Sequence, residues 1–227
     1  MSMDIRNAKA VFFDWDGTLV DSFNFLHGAH NHTRKTLGFE PFSLDVFSTY
    51  FGQPREKLYN EIYKEHKEDA KRIFIEYVYK NHMDGLKTIA DAENLLKWFN
   101  QAGIPCGVVT NKAGELVAKE ISNFGWDKYF VSLVGAGEAE ADKPSGAPLK
   151  LAYERAGLSC DMHEVLFVGD TDNDLKCAEN AGATSVFIED HEAYGAVKSD
   201  NKVDYHFPTC TDFLDFLLQN DRNSLKA

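Results

Sequence analysis

Long apolar runs are missing from this chain, and so is any surplus of basic residues. No hydrophobic stretch approaches the roughly 20 residues that a membrane-spanning helix needs, and Met1 to Lys9 mix charges without the apolar centre of a secretory signal. The sequence therefore predicts a cytoplasmic protein with no membrane partner. Lysine and arginine number 24 against 36 aspartates and glutamates, a net charge of −12. A general nucleic-acid surface needs a basic stripe, so this balance excludes one. An anionic ligand must be drawn in by local charge, because the overall field opposes it. The four cysteines (Cys106, Cys160, Cys177 and Cys210) are scattered without a Cys-x-x-Cys. They read as small buried or half-buried apolar residues, not as a disulfide framework. Internal repeats and low-complexity tracts are absent as well.

What is present is an ordinary globular composition, 44% hydrophobic and 26% charged over 227 residues. After residue 85, short apolar runs near 105–109, 131–135, 165–169, 184–188 and 203–206 alternate with amphipathic stretches near 88–101, 113–124, 147–157, 173–181 and 211–219. An earlier strand falls near 9–14. Strands alternating with helices of this length imply βαβ units and a parallel sheet, an α/β fold. Runs such as Val165-Leu166-Phe167-Val168 suit strands buried on both faces. Residues 20–85 break the rhythm with three or four aromatic-rich helical stretches and no strand. They read as a small helical insertion, hinged near Val20–Ser22 and Met83–Leu86, in a core made of 1–19 and 86–227.

The most informative segment is Asp14-Trp15-Asp16-Gly17-Thr18, directly after the apolar run Ala10-Val11-Phe12-Phe13. Residues i and i+2 of a strand share a face, and two carboxylates about 4 Å apart repel by ~4 kcal/mol at an effective dielectric of about 20. The glycine turn lets the second acid swing away, and a cation or a proton in transit explains the pairing better than stability does. Three more strand ends carry polar residues. Thr110-Asn111-Lys112 follows Val108-Val109, and Thr110 or Asn111 is a natural N-cap for the next helix. Asp142-Lys143-Pro144 lies in a loop before a helix. Gly169-Asp170-Thr171-Asp172-Asn173-Asp174 sets three acids at the end of a third strand, a donor set that suits Mg²⁺. In an open parallel sheet all of these share one crevice at the carboxyl ends of the strands.

On these residues the chain resembles the haloacid dehalogenase superfamily over essentially its full length. Asp14-Trp15-Asp16-Gly17-Thr18 is similar to the first motif of that family, Thr110-Asn111 to the second, Lys143-Pro144 to the third, and Gly169-Asp170 with Asp174 to the fourth. The insertion resembles a C1 cap, and the whole resembles the phosphoglycolate phosphatase branch. The resemblance implies a Rossmann-like parallel sheet with an inserted all-helical cap, acting as a Mg²⁺-dependent phosphatase on a small phosphorylated metabolite, phosphoglycolate first. It makes Asp14 the nucleophile that becomes an aspartyl phosphate, and Asp16 the general acid and then the base. Mg²⁺ would be held by Asp14, the backbone carbonyl of Asp16, Asp170 and Asp174. Thr110 and the Asn111 N–H would hold phosphate oxygens, with Gly17 also lining the substrate, and Lys143 would pair with Asp14 and the transferring charge. Trp15 stands where an aliphatic residue is commoner and is expected to pack behind the sheet end.

In the insertion, Gly52-Gln53-Pro54-Arg55 resembles a cap loop that reaches over the site. Arg55 either binds a second anionic group of the substrate or caps a surface helix. His27, His30 and His32 either line the cleft, lie on the surface or, for His27 and His30, share a face suited to a transition metal. Two alternatives accompany the phosphatase reading: a phosphomutase using the same intermediate, and a catalytically silent binding domain. The mark of the latter is loss of Asp14, Asp16 or Lys143, all of which are present. The protein is expected as a monomer or homodimer.

Overall fold

The computed structural model describes residues 4–50, 55–189 and 203–224, with side chains left undescribed at 55–57 and 220–224. In chain order the elements begin with β1 (Ala10–Phe13), β2 (Val20–Asp21), α1 (Phe23–Thr36), α2 (Leu44–Ser48), α3 (Arg55–Ile62) and α4 (Lys67–Asn81). There follow β3 (Lys87–Thr88), α5 (Ala92–Gln101), β4 (Cys106–Val109), α6 (Gly114–Phe124), β5 (Phe130–Val134) and α7 (Ala147–Arg155). The last are β6 (Val165–Gly169), α8 (Asp172–Ala181), β7 (Thr184–Ile188), β8 (Tyr205–Phe207) and α9 (Cys210–Ser224).

Six strands form one sheet in the order β5-β4-β1-β6-β7-β8, and every pair in it is parallel. Strands β1, β4, β6 and β7 are buried throughout, as continuous apolar runs covered on both faces must be. The two-residue period splits β1 between two cores. Val11 and Phe13 join Phe99 of α5, Val117 of α6 and Phe213 of α9, whereas Ala10 and Phe12 join Leu149 of α7 and Cys177 of α8. From β1 the chain runs out to β4 on one side and to β6 on the other, so the sheet order reverses at β1. Crevices form at such reversals, outside the strands' carboxyl ends.

Helices α1 to α4 stand apart from the sheet, around a small apolar centre that includes Leu58, Tyr59, Tyr63 and Ala70. The expectation of no strand in this region fails at its edge. Val20 and Asp21 pair antiparallel with Thr88 and Lys87 as a two-stranded ribbon where the chain leaves and re-enters the α/β unit. Two residues per strand leave no periodicity to detect. Helix α6 also starts later than a cap at Thr110 or Asn111 implies: it begins at Gly114, and its N-cap position is Ala113.

Candidate active site

Asp14 extends β1 by one residue, its N–H donating to the Val168 carbonyl at 2.8 Å. The chain then curls back: the N–H groups of Leu19 and Val20 donate to the Trp15 carbonyl at 3.0 Å, and Gly17 N–H donates to the Val20 carbonyl at 2.8 Å. Gly17 holds φ +88°, and a β-carbon there would fall on the Asp170 carboxylate, so both the turn and the close approach require glycine. The result separates the two acids. Asp14 faces β6 and Lys143, and Asp16 turns towards Lys112.

Asp14, Asp170 and Asp174 each offer a carboxylate oxygen within 4.8 Å of the others, and all three are buried. Asp170 accepts a hydrogen bond from Thr18 Oγ1 at 2.7 Å. Asp174 sits in the first turn of α8, where its Oδ2 accepts from Thr171 Oγ1 at 2.6 Å and from Thr171 N–H at 3.0 Å. Lys143 Nζ lies 2.7 Å from Asp174 Oδ1 and 2.7 Å from Asp14 Oδ1. The second contact is ionic but poorly directed, and it leaves Asp14 Oδ1 buried without a hydrogen bond. Burial pushes the Asp14 carboxyl well above its ordinary range; Lys143 opposes that, while Asp174 and Asp170 add to it. Burial disfavours the Lys143 ammonium too, but Asp14 and Asp174 outweigh it and hold the lysine above its usual range. An under-partnered acid oxygen facing two other carboxylates fits a small hard cation. Among the described residues no other cluster of histidine, cysteine or acid has such a geometry.

Lys143 is aimed by Asn111, whose amide clamps its backbone: Nδ2 donates to the Lys143 carbonyl and Oδ1 accepts from the Lys143 N–H, both at 3.0 Å. Thr110 is buried, and its Oγ1 accepts the Lys112 N–H at 3.1 Å. Both therefore lie at the strand end beside the acids, but the visible work of the Asn111 side chain is to fix the Lys143 loop. Gly52, Gln53, Pro54 and the Arg55 side chain lie outside the described residues. The histidines share no site. His27 Nε2 bonds to the Phe42 carbonyl at 2.8 Å, and His32 packs on Tyr77. His30 Nδ1 meets Tyr63 Oη at 2.9 Å, and its ring lines the cleft.

A second buried network centres on Glu120. Lys112 Nζ bridges Asp16 Oδ1 at 3.1 Å and Glu120 at 2.8 Å. Trp15 Nε1 donates to Glu120 Oε2 at 2.6 Å. The Trp15 indole is fully buried, edge-on to Trp126, so it packs behind the sheet end as expected. Burial disfavours the Lys112 charge, but Asp16 and Glu120 more than compensate and raise its affinity for the proton. Sequence reasoning assigns no role to Lys112, Glu120, Thr18 or Thr171. Glu120 did carry a signal: it falls on the stripe of α6 that buries Leu116, Val117 and Ile121, where an acid is out of place without a partner.

Above these groups a cleft of about 530 Å³ opens between the sheet rim and the helical group, with Asp14, Asp16, Thr110 and Lys143 on its floor. Such a site can bind a phosphoryl group, offer it a carboxylate nucleophile, and supply a second acid beside it.

The chain is similar to known proteins in sequence and in fold. A family model described as haloacid dehalogenase-like hydrolase matches residues 11–188. A phosphoglycolate phosphatase of Neisseria meningitidis is 31% identical over 197 residues, 83% of this chain and 83% of that protein. A Clostridium perfringens protein provisionally named pyrophosphatase PpaX is 32% identical over 182 residues, 80% of this chain and 84% of its own. A solved Haemophilus somnus structure, described as a predicted phosphoglycolate phosphatase, superposes with a TM-score of 0.78 at 26% identity and covers 92% of this chain and 98% of its own.

Proposed function

The chain belongs to the haloacid dehalogenase-like hydrolases, and on that premise we propose that it is a Mg²⁺-dependent phosphatase that releases phosphate from a small phosphorylated metabolite through an aspartyl phosphate on Asp14. The observation that carries this reading is the buried Asp14 carboxylate, short of a hydrogen bond at Oδ1, set against Asp170, Asp174 and Lys143.

The site residues would divide the reaction as follows. Thr110 and the Asn111 N–H bind phosphate oxygens and, with Lys143, hold the phosphorus in line with the Asp14 carboxylate. Attack by Asp14 forms the phosphorus–oxygen bond as the alkoxide leaves, and Asp16 gives that alkoxide its proton. Asp16 then takes a proton from the water that cleaves the acyl phosphate, returning Asp14 to its carboxylate. Asp14, Asp170, Asp174 and the backbone carbonyl of Asp16 would hold Mg²⁺, which supplies charge to offset the crowded carboxylates and the phosphoryl oxygens. Lys143 adds a fixed positive charge beside the transferring group. The helical group would act as a cap over the cleft, and the ribbon of β2 and β3 would be its neck.

Phosphoglycolate is the first ester to try, because relatives carry its name. The test measures free phosphate from a panel of phosphate monoesters with and without Mg²⁺, for wild type and for Asp14→Asn. Release that needs the cation and falls by on the order of 10⁴-fold or more in the variant is expected for loss of a nucleophile. Isomer formed from a sugar phosphate with no free phosphate would replace this reading by a phosphomutase. No turnover at all would leave a silent binding domain.

A further inference from the structure

Resting on the phosphatase reading, we propose that the substrate's alcohol portion carries a flat apolar ring, and that the cap wall of the cleft is a ring-binding surface.

Six of the side chains that line the cleft carry rings, set among aliphatic neighbours such as Leu26, Ile75 and Val78. Phe47, Tyr50, Tyr59, Phe74 and Tyr79 all line it, with His30 among them. Four of them touch one another, His30 lying 4.5 Å from Phe74 and 5.5 Å from Phe47 and Tyr59 meeting Phe74 edge-on at 6.2 Å between centroids. Phe47, Tyr59 and His30 are buried in that contact, whereas Tyr50 and Phe74 are half-buried and Tyr79 is exposed. Two large apolar side chains of this wall stay exposed, Ile75 at 46% and Tyr79 at 43%. The half-buried rings of Tyr50 and Phe74 and the exposed ring of Tyr79 leave aromatic surface on the cleft, which favours an offset or edge-on ring from a ligand.

Charge points the same way. Among the described residues the lysines lining the cleft are Lys71, Lys112 and Lys143. Each already has an acid partner: Lys71 pairs with Glu68, Lys112 with Asp16 and Glu120, and Lys143 with Asp14 and Asp174. A carboxylate on the leaving alcohol would compete with those acids in a protein whose net charge is −12. An uncharged ring competes with nothing and covers apolar surface. Size agrees as well. About 530 Å³ lies within the 300–1,000 Å³ typical of pockets that enclose whole small-molecule ligands, and a phosphate with a two-carbon acid fills only a minor part of it.

The test compares kcat/KM for ethyl phosphate, 2-phenylethyl phosphate and phosphoglycolate, all esters of alkyl alcohols. The ring-bearing ester should exceed both others by at least about tenfold, the equivalent of 1.4 kcal/mol. In Ile75→Lys, which puts a charge on an exposed part of the wall, the ratio of 2-phenylethyl to ethyl phosphate should fall. Equal values for the three esters, or a preference for phosphoglycolate, would overturn the ring-binding wall while leaving a phosphatase. A preference that survives Ile75→Lys unchanged would place the ring elsewhere and overturn it too. If none of the three, nor p-nitrophenyl phosphate, releases phosphate with Mg²⁺ present, the phosphatase reading falls and takes the ring with it.

Discussion

Glu120 of α6 accepts a hydrogen bond from His82, the residue after α4, at 2.8 Å, and both side chains are buried. One carboxylate thus ties the end of α4 to the α/β unit. The same carboxylate holds Trp15 and Lys112, and through Lys112 it reaches Asp16. Asp16 at the sheet rim and the point where the chain returns from the helical group share one anchor.

Removing that anchor should be costly. Glu120→Leu puts an apolar side chain on the buried stripe of α6 but takes the acceptor from His82 and the Trp15 N–H and leaves Lys112 with Asp16 alone. Breaking one side of a buried ion pair costs on the order of 3–5 kcal/mol, mostly through the charge left behind. A urea titration should show a clear fall in midpoint, and Glu120→Leu/Lys112→Met, which removes the buried charge left with one partner of two, should recover part of it. A Glu120→Leu midpoint equal to wild type would show that the network holds nothing together.

The three clustered acids predict a cation-dependent stability. Asp14, Asp170 and Asp174 repel one another without an ion, and the unfolded chain does not hold them within 4.8 Å. A ligand confined to the folded state adds about 2.7 kcal/mol at a hundredfold excess over its Kd, roughly 5–10 °C in Tm for a chain of this size. Thermal melts with added Mg²⁺ and with chelator should differ by that order in wild type and much less in Asp170→Asn. An undiminished shift in the variant would move the cation away from these acids.

The acids were readable in the sequence because each follows an apolar run, and a parallel sheet forces such strand ends onto one rim. Asp14 and Asp170 meet for that reason, while Lys143 reaches Asp14 from the loop before α7. What the one-dimensional pattern hides is long-range pairing. The partners of Glu120 lie 8, 38 and 105 residues away in the chain, and no local periodicity relates them. The ribbon of β2 and β3 escapes for a different reason: two residues per strand are too few to alternate. Asn111 shows a third limit. Its position beside the site was legible, but its side chain spends its hydrogen bonds on the Lys143 backbone, a partnership set by the three-dimensional course of the loop.

Gly17→Ala tests the turn that parts the two acids. Alanine at φ +88° is strained, at a cost of roughly 1–2 kcal/mol, and its β-carbon would displace the Asp170 carboxylate, an acid of the cluster. The expected outcome is a modest fall in the unfolding midpoint with a disproportionate loss of kcat and a higher Mg²⁺ concentration needed for half-maximal rate. Loss of stability with an unchanged Mg²⁺ requirement would mean that Asp170 has room to move without consequence.

The thiols offer a test that depends on pH. Burial pushes Cys106 and Cys177 from the ordinary 9.0 up to about 12, Cys210 is buried with its Sγ 3.6 Å from the Thr18 carbonyl, and Cys160 is half-buried. Only the thiolate reacts with an alkylating agent. At pH 8 a thiol with a pKa of about 12 is ionised roughly one part in 10⁴, against about one in ten at 9.0, so burial and ionisation both slow Cys106 and Cys177 by about a thousandfold or more. Native protein should therefore show one fast thiol, lost in Cys160→Ser, and urea should expose all four at similar rates. The same shift makes the fold less stable in alkali. Above pH 9 the unfolded thiols release protons that the folded ones keep, and ionisation favours the unfolded chain as pH rises. Two or more fast thiols in the native protein at pH 8 would contradict the burial of Cys106 and Cys177 between the sheet and its helices.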